Sequence, residues 1–131
     1  MTREEYESEW LKISNGFETE KSEDRLSYMA RKDKAHKELD DKYISENAKY
    51  AVGDKVEYNY SKHFGNSPFI PKTKTTGFIH KIWIWNGDTR YFKVGTIMYG
   101  ASECFKNGKE KSTSGGLLNI SEYDIIKKIT V

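Results

Sequence analysis

The apolar residues of this chain change their spacing near residue 50, from the three-and-four step of a helix to strict alternation. That break restricts the fold to helices followed by strands. Both prolines, Pro68 and Pro71, and nine of the ten glycines lie beyond it, where turns and strands need them. Charge divides at the same place. Residues 1–50 hold 10 Lys/Arg and 13 Asp/Glu, net −3, whereas residues 51–131 hold 12 and 7, net +5.

In the first part, Thr2 followed by Glu5 has the pattern of a capping box, so a helix is predicted to begin there. Tyr6, Trp10, Ile13 and Phe17 then fall on one stripe that must be covered, by the second part of the chain or by a second copy of it. Asn15-Gly16 suits a helix stop, with Gly in the left-handed conformation. Ser22 is the expected cap of a second helix over residues 22–46, about 37 Å long. Its stripe of Leu26, Met29, Ala30, His36, Leu39, Tyr43 and Ile44 is interrupted by Asp33 and Asp40. The first 49 residues are therefore expected as a helical hairpin or one long helix, with a homo-oligomer through these helices as one way to cover them.

From residue 50 onward Val56, Tyr58 and Tyr60 alternate with polar residues after a Gly53-Asp54 turn, the pattern of a half-buried strand. Residues 61–73 read as a long loop carrying Phe64 and Phe69. Asn86-Gly87 between β-rich runs is the strongest local hairpin signal, because both residues tolerate the positive φ of a type I′ turn. A two-residue loop there pairs Trp85 with Asp88, Trp83 with Arg90 and Ile82 with Tyr91. Leu117–Ile120 reads as a short strand, and Ser121-Glu122-Tyr123-Asp124 as one turn of helix before a last strand at Ile125-Ile126.

Val52-Gly53-Asp54-Lys55-Val56, the later Gly77-Phe78-Ile79, the aromatic run Tyr91-Phe92-Lys93-Val94 and the terminal Ser121–Ile126 together resemble the strand sequence of SH3-like small barrels of the Tudor and KOW type. The resemblance covers residues 50–131 and implies five short bent antiparallel strands, a long loop after the first and a single 3₁₀ turn before the last. The expected fold is therefore α+β, N-terminal helices followed by an SH3-like five-stranded antiparallel β-barrel. Such a fold hosts many functions, so activity must be argued from the side chains.

Those side chains give little support to catalysis. Cys104 is the only cysteine, which excludes an internal disulfide and a cysteine-based zinc site. His36, His63 and His80 are scattered, and the chain contains no Walker loop, no Gly-x-Gly-x-x-Gly, no His-Glu-x-x-His and no EF-hand loop. No catalytic residue, metal or cofactor is expected. No apolar run spans a bilayer and the N-terminal stretch is acidic, so the expected location is the cytoplasm, without membrane association.

At 14% aromatic residues the chain carries more rings than a core this lean requires. Trp83 and Trp85 share one face of their strand while Ile82 and Ile84 share the other, so one pair is expected outside the core. The expected function is non-enzymatic recognition of a protein partner through Trp83, Trp85, Arg90, Tyr91, Phe64 and Phe69, in the manner of a small bacterial or phage accessory or inhibitor protein. The alternative is nucleic-acid binding by the same rings with Lys81, Lys93, Lys106, Lys109 and Lys111. A ring cage for a quaternary ammonium is a third, weaker option.

Overall fold

The structure is a computed structural model and describes residues 1–19, 23–60, 73–86 and 93–130. The chain divides into two compact units, Met1–Asn47 and Ala48–Val131.

The first unit is a helical hairpin. Helix α1, Arg3–Gly16, starts on the expected capping box: Thr2 Oγ1 accepts from the Glu5 amide at 3.1 Å, and Glu5 Oε1 from the Thr2 amide at 3.5 Å. The helix ends at Gly16 without a left-handed glycine; Phe17, in an extended conformation, closes it. Helix α2, Arg25–Asn47, is capped by Asp24, whose Oδ1 accepts from the Ser27 amide at 2.7 Å. That bond holds the Asp24 carboxyl below the usual carboxylate range. Ser22, the expected cap, lies outside the described residues.

Ring pairs set the antiparallel register of the two helices. Tyr6 meets Tyr43 at 4.7 Å between centroids, Trp10 meets His36 at 5.2 Å, and Phe17 meets Tyr28 at 5.9 Å. The stripe predicted on α1 thus packs on α2 of the same chain. Asp40, which interrupts the apolar stripe of α2, accepts from the hydroxyl of the fully buried Tyr6 at 2.6 Å. Near the connection, the Arg31 guanidinium grips both Glu23 carboxylate oxygens at 2.9 Å and lies 4.4 Å from the Phe17 ring centroid.

The second unit is a five-stranded antiparallel sheet: β1 (Lys55–Tyr60), β2 (Thr73–Trp85), β3 (Thr96–Ala101), β4 (Leu118–Ser121) and β5 (Ile125–Lys128), in the order β4-β3-β2-β1-β5. The α+β class therefore holds. Among the described residues no ladder joins β4 to β5, so the sheet is open where a closed barrel was expected. The long strand β2 serves two neighbours. Residues 73–78 pair with β1 and residues 79–85 with β3, and the register slips at His80, where one extra residue bulges out. A 3₁₀ turn, Glu122–Asp124, precedes β5 as expected; Asp124 Oδ2 accepts from the Ser121 amide at 3.0 Å and from its hydroxyl at 2.8 Å.

The partners expected for Trp85, Trp83 and Ile82 from a two-residue hairpin are not the ones in the described ladder. Trp85 pairs with Thr96, Trp83 with Met98 and Ile82 with Tyr99, and the Gly95 amide donates to the Trp85 carbonyl at 2.9 Å. The return strand is thus Thr96–Ala101, all six residues of which are buried. A strand buried along its whole length is the stronger partner for β2. Asp88, Arg90 and Tyr91, the expected partners, lie outside the described residues. The core gathers Val56, Tyr58, Ile79, Ile84, Ile97, Tyr99, Ile120 and Ile125.

Candidate functional site

Because side chains alternate along a strand, Lys81, Trp83 and Trp85 occupy one face of β2 and Ile82 and Ile84 the other. Ile84 is only 4% exposed and belongs to the core. Both tryptophans are half-buried, with ring centroids 6.1 Å apart and planes inclined at 47°. Cross-strand partners on the same face are Thr96 beside Trp85, Met98 beside Trp83 and Gly100 beside Lys81. Thr96 and Met98 are buried beside the indoles, and the Trp85 indole nitrogen is itself buried, while both tryptophan residues remain partly exposed. Gly100 keeps the Lys81 end low: a Cβ there would come within 3.1 Å of Leu117 Cδ1 and 3.3 Å of Lys81 Cβ. Lys93 is exposed at the Trp85 end of the strip, where its carbonyl accepts from the Thr96 hydroxyl at 2.7 Å.

The structure therefore brings together Trp83, Trp85, Lys81 and Lys93. Phe64, Phe69, Arg90 and Tyr91 lie outside the described residues. Lys106, Lys109 and Lys111 belong to the β3–β4 connection, against the other end of β2. There the Cys104 amide donates to the Thr76 carbonyl at 2.7 Å, and Cys104 and Glu110 form an isolated bridge. Lys111 is committed to Glu103 at 2.8 Å, whereas Lys106 and Lys109 are exposed. Lys74, which lines one cleft with Lys106, is nine residues from Trp83, about 30 Å of strand if β2 ran straight.

A polar network that sequence reasoning missed ties the β3–β4 connection to β2. His80 Nε2 lies 2.7 Å from Glu110 Oε2, and the Ser102 hydroxyl donates to the same oxygen at 2.6 Å. The Phe78 amide donates to Ser102 Oγ at 3.0 Å, and the Tyr58 hydroxyl to the Ser102 carbonyl at 2.7 Å. The hydroxyl of Ser102 and the imidazole of His80 hold the Glu110 carboxyl below its ordinary range. Serine, histidine and glutamate meet here in the wrong order for nucleophilic catalysis. The carboxylate stands between the other two, so the histidine does not receive the serine proton, and Ser102 is only 3% exposed. The bulge at His80 is the device that aims its ring at Glu110; no local sequence signal marks it.

Among the described residues no group of three or more His, Cys, Asp or Glu side chains is placed to hold a metal ion, and no helix is long and apolar enough to cross a membrane. Comparisons of the chain with protein-family models, curated proteins and solved structures find no match.

Proposed function

We propose that this chain is a non-enzymatic protein-binding module, an accessory or inhibitor protein whose second unit is an SH3-like small barrel docking through Trp83 and Trp85. The fold part of this reading is supported by the strand order, with β5 beside β1, by the long β2 shared between two neighbours, and by the 3₁₀ turn before β5.

The observation that carries the function is the indole pair itself, two rings 6.1 Å apart on the strand face opposite the core residue Ile84. Tryptophan is the side chain most enriched among residues that dominate protein interfaces, and the flanking Lys81 supplies the polar edge such patches have. The nucleic-acid alternative adds Lys81, Lys93, Lys106, Lys109 and Lys111 to the same rings; of these Lys111 is taken up by Glu103, which favours the protein-binding reading.

The test is affinity capture from a bacterial lysate with the wild-type chain and a Trp83→Ala/Trp85→Ala variant whose circular dichroism spectrum shows it folded at the capture temperature. A protein retained by the wild type after nuclease treatment, and through a rise from about 50 to 200 mM salt, but lost by the variant supports the reading. Retention by the variant, or loss on nuclease treatment, contradicts it.

A further inference from the structure

A second surface lies at the opposite end of β2, in a cleft of about 390 Å³ between the β1–β2 ladder and the β3–β4 connection. The connection is anchored there by the Cys104–Thr76 bond, and its tight turn, closed by the Gly108 amide on the Phe105 carbonyl at 2.9 Å, holds Phe105 53% exposed at the rim. The Glu103-paired Lys111 ammonium lies 5.3 Å from the ring centroid on one face, and the other face is left for a ligand. Lys55 reaches the same turn from β1: its Nζ would stand 3.5 Å from a Cβ at Gly108 and lies 5.7 Å from the Phe78 centroid. Lys74 and Lys106 line the other sides. Among the described residues none of these three ammonium groups is in an ion pair, and the one carboxylate of the lining, Glu57, leaves a net charge of +2.

We propose that this cleft binds single-stranded nucleic acid, one base stacking on Phe105 while the adjoining phosphates rest on Lys55, Lys74 and Lys106. An exposed ring among unpaired lysines is the combination that single-strand binders use, since every base offers a π-face and every linkage a charge. A duplex is the poorer fit, because reading its grooves calls for a protruding helix or ribbon and this surface is concave. An acidic peptide would satisfy the lysines and leave the ring without a role.

The experiment is fluorescence anisotropy of a fluorescein-labelled ten-nucleotide oligothymidylate titrated with the full chain. Binding is expected to weaken with salt at a log–log slope of about −2, from three phosphate contacts at about 0.7 each. Lys74→Ala/Lys106→Ala should bring the slope to about −0.7. Phe105→Ala should weaken binding about five- to 150-fold at unchanged slope. Lys34→Ala, which removes one charge from the exposed face of α2, should leave both quantities nearly unchanged. The proposal is overturned by no binding, by affinity indifferent to Phe105→Ala, or by a ten-residue oligoglutamate competing as well as unlabelled oligothymidylate.

Discussion

Gly77 of β2 lies directly against the carbonyl of Ser102: a Cβ on Gly77 would stand 1.7 Å from Ser102 O and 2.6 Å from its carbonyl carbon. These are backbone atoms that cannot rotate away. The approach places Ser102 where the Tyr58 hydroxyl, the Phe78 amide and Glu110 all reach it. Gly77→Ala is expected to destabilise the second unit by about 3 kcal/mol or more, the range reached by overpacking a filled interior. Urea denaturation of the two proteins followed by near-ultraviolet circular dichroism measures it. A loss below about 1 kcal/mol would show that the two segments are not held this close.

In the helical hairpin the Tyr6 hydroxyl donates to Asp40 at 2.6 Å, and burial pushes the Asp40 carboxyl above its ordinary range. Tyr6→Phe removes that donor from a half-buried carboxylate and should cost about 1–3 kcal/mol. Asp40→Asn keeps an acceptor and removes the buried charge, so its cost should be smaller. Thermal melts monitored at 222 nm compare the two, and the reverse ranking would contradict the assigned roles.

Tyr99, fully buried, is pushed up to about 12 by that burial. A raised folded value means that the native state keeps its proton while the unfolded chain releases it near pH 10. The stability contributed by neutral Tyr99 is therefore complete below pH 10 and is lost as pH rises toward about 12. Over the interval from pH 10 to about 12 the loss totals about 2–3 kcal/mol. Denaturant midpoints between pH 9 and 11.5 should fall more steeply for the wild type than for Tyr99→Phe; parallel curves would refute the assignment.

Glu110 behaves in the opposite sense. Its folded value is depressed by Ser102 and His80, so its contribution is present above the ordinary glutamate range and disappears as pH falls through the depressed value. Glu110→Gln should flatten the acid limb of the stability profile between pH 3 and 6 while leaving the alkaline limb alone. An unchanged acid limb would mean that the carboxylate is not held as described.

How much of this was legible in the sequence depends on how local each determinant is. The Thr2–Glu5 box, the alternation of Val56 and Tyr58 and the Ser121–Asp124 turn are decided within a few residues, and the structure contains all of them. Asp24 displaced Ser22 in the search for a cap because both residue types suit that position and only the chain's path selects between them. The pairing expected from Asn86-Gly87 gave way to the β2–β3 ladder because the packing of a buried strand outweighs a local preference. The face assignment of Trp83 and Trp85 follows from alternation, but nothing in the spacing says that Ile84 is the buried side. The Ser102–Glu110–His80 network and the cleft around Phe105 join residues from separate strands and a connection, so only the folded chain brings them together.

The indole pair can be examined without disturbing it, because the chain holds three tryptophans and the third, Trp10, is packed on His36 in the helical hairpin. Fluorine NMR of protein labelled with 5-fluorotryptophan, titrated with the purified protein captured from lysate, reads all three rings at once. Resonances of Trp83 and Trp85 that shift or broaden on addition, with Trp10 unmoved, are the predicted result. A spectrum in which Trp10 responds and the β2 pair does not would contradict the assignment of the docking face.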